Sequence, residues 1–427
     1  MKKWTCLVLI IPSICKIALS QDLDYAKKVV SILASPQYKG RGYTGNGDKM
    51  AADYIVSQFK ELGIKPVDKS YFQNFDISVN TYPETPVLKI NKEVLRPAVD
   101  YLIESSSPSI DGKFNITIIK REEIANRNIL LKKLKESKNG FLFIDSRDKK
   151  GEEKEVTKTI DDLIGAIKYD PEVDLKGVIV YSGEKLSWEI SQELNSKPII
   201  ILNKEIDVSK LKSIQIKITS DYKKQYETQN VIGMIKGQSK PDSFIVVLAH
   251  YDHLGMLGPE IYFPGANDNA SGVALLLNLG KYYTGHQPAY TMVFIALGAE
   301  ELGLLGAKEF TSHPQIRLKN VKFLINFDIA GTGDEGIRVV NGSVYKDKFD
   351  LMTKINNDNK FLPKIDIRGE ACISDHCLFY KKGVPCFYIY TQGGIAAYHD
   401  IYDKSETLPL TGFVNYVKLM IKFFDSL

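Results

Sequence analysis

Three apolar runs in the second half of the chain constrain its fold more than any other feature. They span residues 244–249, 291–297 and 322–327. Runs of this length without polar alternation are typical of strands that are buried on both faces of a sheet. Residues 271–283 lie between the first two runs and have the pattern of a helix, which Ser271 can cap. Buried strands that alternate with helices predict an α/β fold, with helices on both faces of a largely parallel sheet.

Each of these runs is followed by a side chain that can bind a metal ion or transfer a proton. His250 follows the first run and Asp328 follows the third. Glu300 and Glu301 come shortly after the second. Because the carboxyl ends of parallel strands meet at one edge of an open α/β sheet, we expect these side chains to converge there. A single histidine after a strand is usually structural, but the coincidence at three strand ends predicts a common site.

Two further side chains are candidates for the same site. Asp268 lies in a turn rich in glycine and asparagine, residues 265–272. Such a turn lets the backbone approach closely and aims a short carboxylate inward. Asp268 therefore either caps the following helix or bridges two metal ions with its two oxygens. His399 lies near the C-terminus, where Asp400 or Asp403 can orient its ring.

The adjacent acids Glu300 and Glu301 form the most specific pair. Two carboxylates after a buried strand repel each other and are costly to desolvate unless cations neutralise them. Their side chains diverge, so one can bind metal while the other takes a proton from a metal-activated water. The alternative is a solvent-facing helix start, where acids suit the helix dipole. Asp252, two residues after His250, can accept the far N–H of that ring and fix its tautomer. This set predicts a metal-dependent hydrolase.

The first half of the chain has a different pattern. Residues 48–62 have apolar side chains at helical spacing, and Asp48 can cap the start while Gly63 can end the helix. Residues 84–225 are rich in Lys, Ile, Asp and Glu and contain short β-type runs, but no cluster of metal-ligand residues. We therefore predict a β-rich insert at 84–225, within a catalytic domain formed by residues 21–83 and 226–427.

Residues 1–20 have the pattern of a secretory signal peptide, with Lys2 and Lys3 before a short apolar core. A membrane anchor is the alternative, but the apolar stretch is short and interrupted. The sequence thus predicts a secreted or periplasmic protein with no stable membrane insertion after cleavage. These residues contain three lysines and no acid, so cleavage lowers the formal charge from +4 to +1. A nearly neutral chain without a basic stripe argues against a nucleic-acid partner.

Three cysteines follow this segment: Cys372, Cys377 and Cys386. In an exported protein Cys372 and Cys377 can close a short disulfide loop, which leaves one thiol free. The alternative is three buried, reduced thiols, and the sequence does not decide between the two.

Six short motifs in chain order resemble the di-zinc exopeptidases that include secreted bacterial leucyl aminopeptidases. The resemblance covers residues 22–80 and 226–427, and the motifs are highly specific as a set. Glutamate carboxypeptidase and glutaminyl cyclase share the fold of this family. The motifs are HYDHLG at 250–255, GANDNASG at 265–272, AEELGLLG at 299–306, NFD at 326–328, SDH at 374–376 and YH at 398–399.

The resemblance implies a three-layer α/β/α sandwich with a mixed, mostly parallel sheet, plus an insert that is similar to a protease-associated domain. It also implies peptide substrates and two zinc ions per chain. The ligands it assigns are His250 and Asp328 on one ion, Glu301 and His399 on the other, and Asp268 on both.

The same resemblance gives roles to three more residues. Glu300 becomes the general base that removes a proton from the attacking water and then protonates the leaving amine. Asp375 and His376 line the substrate side of the site, and a Cys372–Cys377 disulfide would stiffen their segment.

The ligand set alone leaves the reaction open. An aminopeptidase needs an acidic group for the substrate amine, whereas a carboxypeptidase needs Arg or Lys for the substrate carboxylate; a dipeptidase is a further alternative. Glutaminyl cyclases generally lack the equivalent of His250, and a non-catalytic binding protein would be expected to have lost ligands. The resemblance to leucyl aminopeptidases favours an aminopeptidase, with a carboxypeptidase or dipeptidase on the same site as the alternative. The sequence leaves open the side-chain preference, the oligomeric state and the role of the insert.

Overall fold

The computed structural model describes residues 22–147 and 151–427, which form two β-sheets with helices packed on them. The predicted signal peptide, residues 1–20, lies outside the described residues. Numbered in chain order, the strands are β1 (Lys65–Pro66), β2 (Phe72–Thr81), β3 (Val87–Ile90), β4 (Glu93–Leu95), β5 (Tyr101–Ile103), β6 (Ile110–Lys120), β7 (Phe141–Asp145), β8 (Gly177–Tyr181), β9 (Ile199–Leu202), β10 (Ser213–Ile218), β11 (Asp221–Ile235), β12 (Lys240–His250), β13 (Tyr290–Leu297), β14 (Val321–Asp328), β15 (Gly336–Val340), β16 (Ile365–Ile367) and β17 (Cys386–Gln392). The α-helices are α1 (Leu23–Leu33), α2 (Gly47–Leu62), α3 (Arg121–Ile124), α4 (Arg127–Glu136), α5 (Lys154–Tyr169), α6 (Ser271–Gly285), α7 (Leu305–Ser312), α8 (Lys346–Asn359), α9 (His376–Lys381) and α10 (Phe413–Asp425).

The larger sheet has the strand order β1-β11-β13-β12-β14-β17-β15-β16, with β2 also paired to β11. Its centre is parallel, because β13, β12, β14 and β17 pair in parallel with one another. Antiparallel pairs join β1, β2 and β13 to β11 on one side, and β15 to β17 on the other. The predicted α/β fold with a mixed sheet is confirmed. The parallel pairs are confined to the central strands and to β15 with β16 at the edge.

Helices cover both faces of this sheet. On one face α1, α2, α6, α8 and α10 share a core in which Leu275 and Phe294 are fully buried. On the other face α7 and α9 pack Phe310 and Phe379 near Leu324 of β14. The three apolar runs form β12, β13 and β14 and have a buried helix layer on each side. That double burial explains why they lack a polar alternation.

The start of α2 differs from its prediction. The helix begins at Gly47, and no side chain caps it. The predicted cap, Asp48, is buried, and its carboxylate accepts hydrogen bonds from Tyr226 Oη at 2.7 Å and Thr228 Oγ1 at 2.9 Å. Because β11 lies over the helix start, tertiary contacts displace the local capping bond. Gly63 ends the helix in the left-handed region as predicted, with φ of 82°.

The second sheet is formed by residues of the predicted insert, in the order β4-β3-β10-β6-β7-β8-β9-β5. Strands β6 to β9 are parallel, and the other pairs are antiparallel. Helices α4 and α5 pack on this sheet through Leu130, Ile160 and Ile164. These two helices were not predicted from the sequence, because their apolar residues are separated by many lysines and acids. Similarity of the insert to a protease-associated domain stays a prediction.

None of the helices in the described part of the chain combines the length and the apolar composition needed to cross a bilayer. Cys372 and Cys377 form a disulfide, and Cys386 is a free, buried thiol. Of the two arrangements that the sequence left open, the structure therefore favours the disulfide loop with one free thiol over three reduced thiols.

Candidate metal centre

The five predicted ligands come together at one edge of the larger sheet. β12 pairs in parallel with both β13 and β14, so the carboxyl ends of these strands lie side by side. Along the chain, the ligands are His250 at the end of β12, Asp268 in the turn before α6, Glu301 after β13, Asp328 at the end of β14 and His399 in the loop after β17.

Asp268 lies between the two histidines. Its Oδ1 is 3.3 Å from Nε2 of His250, and its Oδ2 is 3.1 Å from Nε2 of His399. Asp328 Oδ1 is 3.4 Å from the same nitrogen of His250, and Glu301 Oε2 is 3.3 Å from that of His399. We call His250 with Asp328 the first half-site, and Glu301 with His399 the second. Asp268 offers one oxygen to each.

These spacings match those between ligands that share a zinc ion. Zinc binds nitrogen and carboxylate oxygen at about 2.0–2.1 Å, so two ligand atoms at a tetrahedral angle lie about 3.3 Å apart. The four distances in the half-sites lie between 3.1 and 3.4 Å. They are longer than charge-assisted hydrogen bonds, which are about 2.7–2.9 Å. The donor set of imidazole and carboxylate also suits zinc.

His253 is a site residue that the sequence analysis missed. Its ligand atom lies close enough to Asp268 and Glu301 for the three to form a metal-binding group. However, Nδ1 of His253 is 2.7 Å from Glu301 Oε1, which is the length of a hydrogen bond rather than of two ligands on one ion. We therefore interpret His253 as a residue that orients Glu301, and His399 as the ligand. The spacing from His250 contained a signal, because the two histidines stand three residues apart in one motif.

The acidic groups of the cluster are buried close together, an arrangement that bound cations would stabilise. Burial raises the pKa of Glu300 well above its usual value, and neighbouring carboxylates add to this. Burial likewise raises the pKa of Asp328, and that of Asp375 to about 8. Burial alone would lower the pKa of His399, but Asp268 and Glu301 raise it to about 11. Without metal, the cluster thus holds protons to limit its negative charge, and metal ions at the same place would displace them.

Two aspartates hold the ligand-bearing turns through backbone N–H groups. Asp252 accepts bonds from the N–H groups of Glu300 at 3.1 Å and Glu301 at 3.3 Å. Its carboxylate lies 3.7 Å from His250 Nδ1, whereas its own carbonyl oxygen is 3.3 Å away. The structure therefore differs from the predicted carboxylate–histidine bond, because both carboxylate oxygens face the turn after β13. Asp403 accepts bonds from the N–H groups of residues 267 and 268, at 2.9–3.1 Å.

Arg41 stabilises the turn that carries Asp268 through hydrogen bonds to its backbone. This buried guanidinium donates to the carbonyl oxygens of Gly265 at 2.7 Å and Asp268 at 3.0 Å. It also donates to three other carbonyl oxygens at 2.7–3.1 Å. Gly265 has φ of +56°, and a Cβ there would lie 2.2 Å from the Asp268 carbonyl oxygen. Ser271, the predicted helix cap, instead donates to the carbonyl of Asn267 at 2.7 Å, so that prediction is wrong.

Several non-glycine residues at the site have a left-handed backbone. His399 has φ of 52°, Ala299 before Glu300 has 55°, and Ile329 after Asp328 has 47°. Such conformations are uncommon for residues with a Cβ and persist only where surrounding contacts enforce them. Tertiary contacts therefore hold the ligand-bearing segments in conformations that local preference disfavours.

Asp375 and His376 are buried beside the first half-site. Neither carboxylate oxygen of Asp375 has a hydrogen-bond partner among the described residues. His376 Nε2 lies 2.9 Å from the carbonyl of Ala371, and its ring stacks on Tyr388. Burial lowers the pKa of His376 to about 4, so the ring is neutral at pH 7. That these two residues line a substrate pocket stays a prediction.

Comparison with known proteins agrees with this geometry. Residues 230–424 match the model of peptidase family M28. A probable zinc metalloprotease of Pyricularia oryzae is 40% identical over 111 residues, which cover 25% of this chain and 22% of that protein. Aminopeptidase YwaD of Bacillus subtilis is 27% identical over 227 residues, which cover 49% of this chain and 46% of that protein. The match thus spans less than half the length of either curated relative.

Solved structures extend the likeness to nearly the whole chain. BSAP, a zinc aminopeptidase from Bacillus subtilis, has a TM-score of 0.67 at 19% identity, with 93% of this chain and 94% of that chain covered. A peptidase M28 precursor from Shewanella amazonensis has a TM-score of 0.68 at 16% identity, covering 94% and 96%. At these identities the likeness establishes the fold, and its coverage includes the insert. The predicted family resemblance is confirmed.

Proposed function

We propose that this chain is a two-zinc exopeptidase that removes N-terminal residues from peptides. The observation that carries the proposal is the position of Asp268, whose two oxygens face two different histidines at 3.3 and 3.1 Å. A carboxylate whose two oxygens each face a different imidazole can bridge two adjacent cations.

The residues fit two zinc ions by chemistry and by spacing. His250 and Asp328 would hold one ion, Glu301 and His399 the other, and Asp268 both. When bound, such ions polarise a peptide carbonyl and make a bound water more acidic near neutral pH. Asp328 Oδ1 has no hydrogen-bond partner among the described residues, as expected of an atom reserved for a metal ion.

Glu300 is the proposed general base. Its backbone N–H is held by Asp252 at 3.1 Å, while no described residue hydrogen-bonds to its carboxylate. The carboxylate is therefore free to take a proton from a water on the substrate side and to return it to the leaving amine.

The charges around the site favour an aminopeptidase over a carboxypeptidase. Within residues 22–147 and 151–427, Arg41 and Lys185 are the cationic side chains that hydrogen-bond to the ligand-bearing segments. Arg41 is buried and bonded to five carbonyl oxygens. Lys185 uses its three N–H groups on two carbonyls and Asp400. Neither is free to receive a substrate carboxylate, whereas the carboxylate of Asp375, which has no hydrogen-bond partner among the described residues, suits a substrate ammonium group.

The presence of His250 in the first half-site argues against a one-zinc glutaminyl cyclase, and the full ligand set argues against a non-catalytic relative. Export as a secreted or periplasmic enzyme is part of the proposal and rests on the signal-peptide pattern of residues 1–20.

Replacing Glu300 by Gln tests the mechanism. We expect turnover of aminoacyl-arylamides to fall by about 10²–10⁴-fold, because the amide cannot take the proton. Zinc content should stay at that of the unmodified protein, since Glu300 is not assigned as a ligand. Glu136→Gln, at an exposed position of α4, is the matched control and should leave both values unchanged. Near-normal turnover in Glu300→Gln would contradict the assignment.

A further inference from the structure

A segment of the insert contacts both loops of the second half-site. We call residues 185–192, which follow β8, the strap. Its two ends contact different parts of the catalytic domain: one end touches the loop around His399, and the other touches the turn that carries Glu301. The contacts at each end are made by side chains and backbone groups that are separated from their partners by more than 100 residues.

Lys185 fixes the loop around His399 at three points. Its Nζ donates to the carbonyl oxygens of Ala396 at 2.8 Å and Tyr398 at 3.1 Å. It also forms an ion pair with Asp400 Oδ2 at 2.7 Å. These partners flank His399 on both sides, so the ammonium group ties together the segment that presents the imidazole.

Trp188 holds the ligand residue itself. Its backbone N–H donates to the carbonyl oxygen of His399 at 2.9 Å. Its indole is buried, stacks on Phe263 at 4.7 Å and donates from Nε1 to Ile103 in the insert at 2.8 Å. Because His399 has φ of 52°, the loop needs external contacts to keep this conformation. The bond from Trp188 is one of them.

The other end of the strap contacts the turn after β13. Gln192 Nε2 donates to the carbonyl oxygen of Leu302, the residue after Glu301, at 2.6 Å. Ile190 packs against a cluster of buried side chains that includes Ala299 and Leu302. The strap therefore contacts the chain directly after the Glu300–Glu301 pair.

The first half-site is supported differently. His250 and Asp328 end two central strands of the sheet. The described contacts of Asp328 beyond the other ligands are Ser374 Oγ and Tyr388 Oη, each at 3.4 Å, and neither belongs to the insert. We infer that the strap is a positioning element for the second half-site alone, so that the insert sets the affinity of one of the two metal ions. This inference rests on the proposed two-metal function and gives the insert a role inside the catalytic centre.

The test is a zinc titration of the metal-free, full-length mature protein, with a chromophoric chelator as competitor, before and after Lys185→Met. Loss of groups that orient a metal ligand typically lowers metal affinity by about 10–100-fold. We expect Lys185→Met to bind one of its two zinc ions about 10–100-fold more weakly than the unmodified protein does, and to bind the other zinc ion with unchanged affinity. Lys217→Met is the matched control. Lys217 lies in the same insert, is 49% exposed against 51% for Lys185, and also has a 2.7 Å ion pair, but with Glu84.

Gln192→Ala supplies a second, independent variant at the other end of the strap, and the same zinc should weaken. The inference would be overturned if both zinc ions lost affinity equally, or if both variants bound both zinc ions with unchanged affinity. Failure of the proposed function would appear elsewhere, as two zinc ions bound by the unmodified protein without chelator-sensitive peptide cleavage. If the unmodified protein bound no zinc, both proposals would be overturned.

Discussion

The two half-sites of the proposed metal centre offer similar atoms but are built in different ways. In the first, His250 and Asp328 are the last residues of two adjacent parallel strands. In the second, Glu301 and His399 lie on loops, and the strap of the insert contacts both loops. Ligands on the central sheet are positioned by the fold itself, whereas ligands on loops depend on contacts made from a distance. We therefore expect the second half-site to be the more easily disturbed.

The ligand that the half-sites share should give the largest effect. Asp268→Asn keeps the size of the side chain but removes the negative charge that both ions need. We expect zinc content to fall toward zero and hydrolysis to fall by roughly 10³-fold or more, because the rate acceleration depends on the whole centre. Metal analysis by mass spectrometry and an arylamide assay measure the two effects. Asp76→Asn, at an exposed position of β2, should change neither. Retention of two zinc ions in Asp268→Asn would mean that this residue is not a shared ligand.

Single-ligand variants separate the half-sites. His250→Ala and His399→Ala should each reduce the zinc content to about one per chain, because each removes the only imidazole assigned to its ion. Cobalt substitution followed by absorption spectroscopy should then give two different spectra, since the remaining ions have different ligands. Identical spectra from the two variants would contradict the division into half-sites.

Asp252 affects mainly the second half-site, because it accepts the N–H groups of Glu300 and Glu301. Asp252→Asn places an amide N–H near one of these donors and should displace the turn. We expect turnover to fall by about 10–100-fold, with weaker binding of one zinc ion. Metal titration and kcat/KM report the two changes. An effect confined to the zinc of the first half-site would show instead that Asp252 acts through His250, as the sequence analysis predicted.

The disulfide should have the smallest effect on the metal centre. It closes a short loop before α9, and Ser374 within that loop contacts Asp328 at 3.4 Å. The double variant Cys372→Ser with Cys377→Ser should lower the free energy of unfolding by about 2 kcal/mol. Zinc at the first half-site should weaken slightly, and zinc at the second should not change. Thermal unfolding and metal titration test both points, and a selective loss of the second zinc ion would contradict the assignment of this loop.

The same contrast explains how much could be predicted from the sequence. His250, Glu300 and Asp328 follow strongly apolar runs, so their convergence followed from the sheet and needed no long-range information. Asp268 and His399 were candidates from their own segments, but only the family motifs assigned them as ligands. The sequence contained no local signal for the contact between Lys185 and Ala396, which are 211 residues apart. The capping roles predicted for Asp48 and Ser271 were wrong for a related reason, because distant residues supplied stronger partners than the helix start.

The most direct test of the account is the zinc content of the purified mature protein, measured together with hydrolysis of an aminoacyl-arylamide panel before and after chelation. The account predicts about two zinc ions per chain and cleavage of substrates with a free amine, lost on chelation and restored by zinc. Two zinc ions with activity only on N-blocked peptides with a free carboxylate would contradict the aminopeptidase assignment. A protein without zinc and without turnover would contradict the central claim that this site is a two-metal hydrolytic centre.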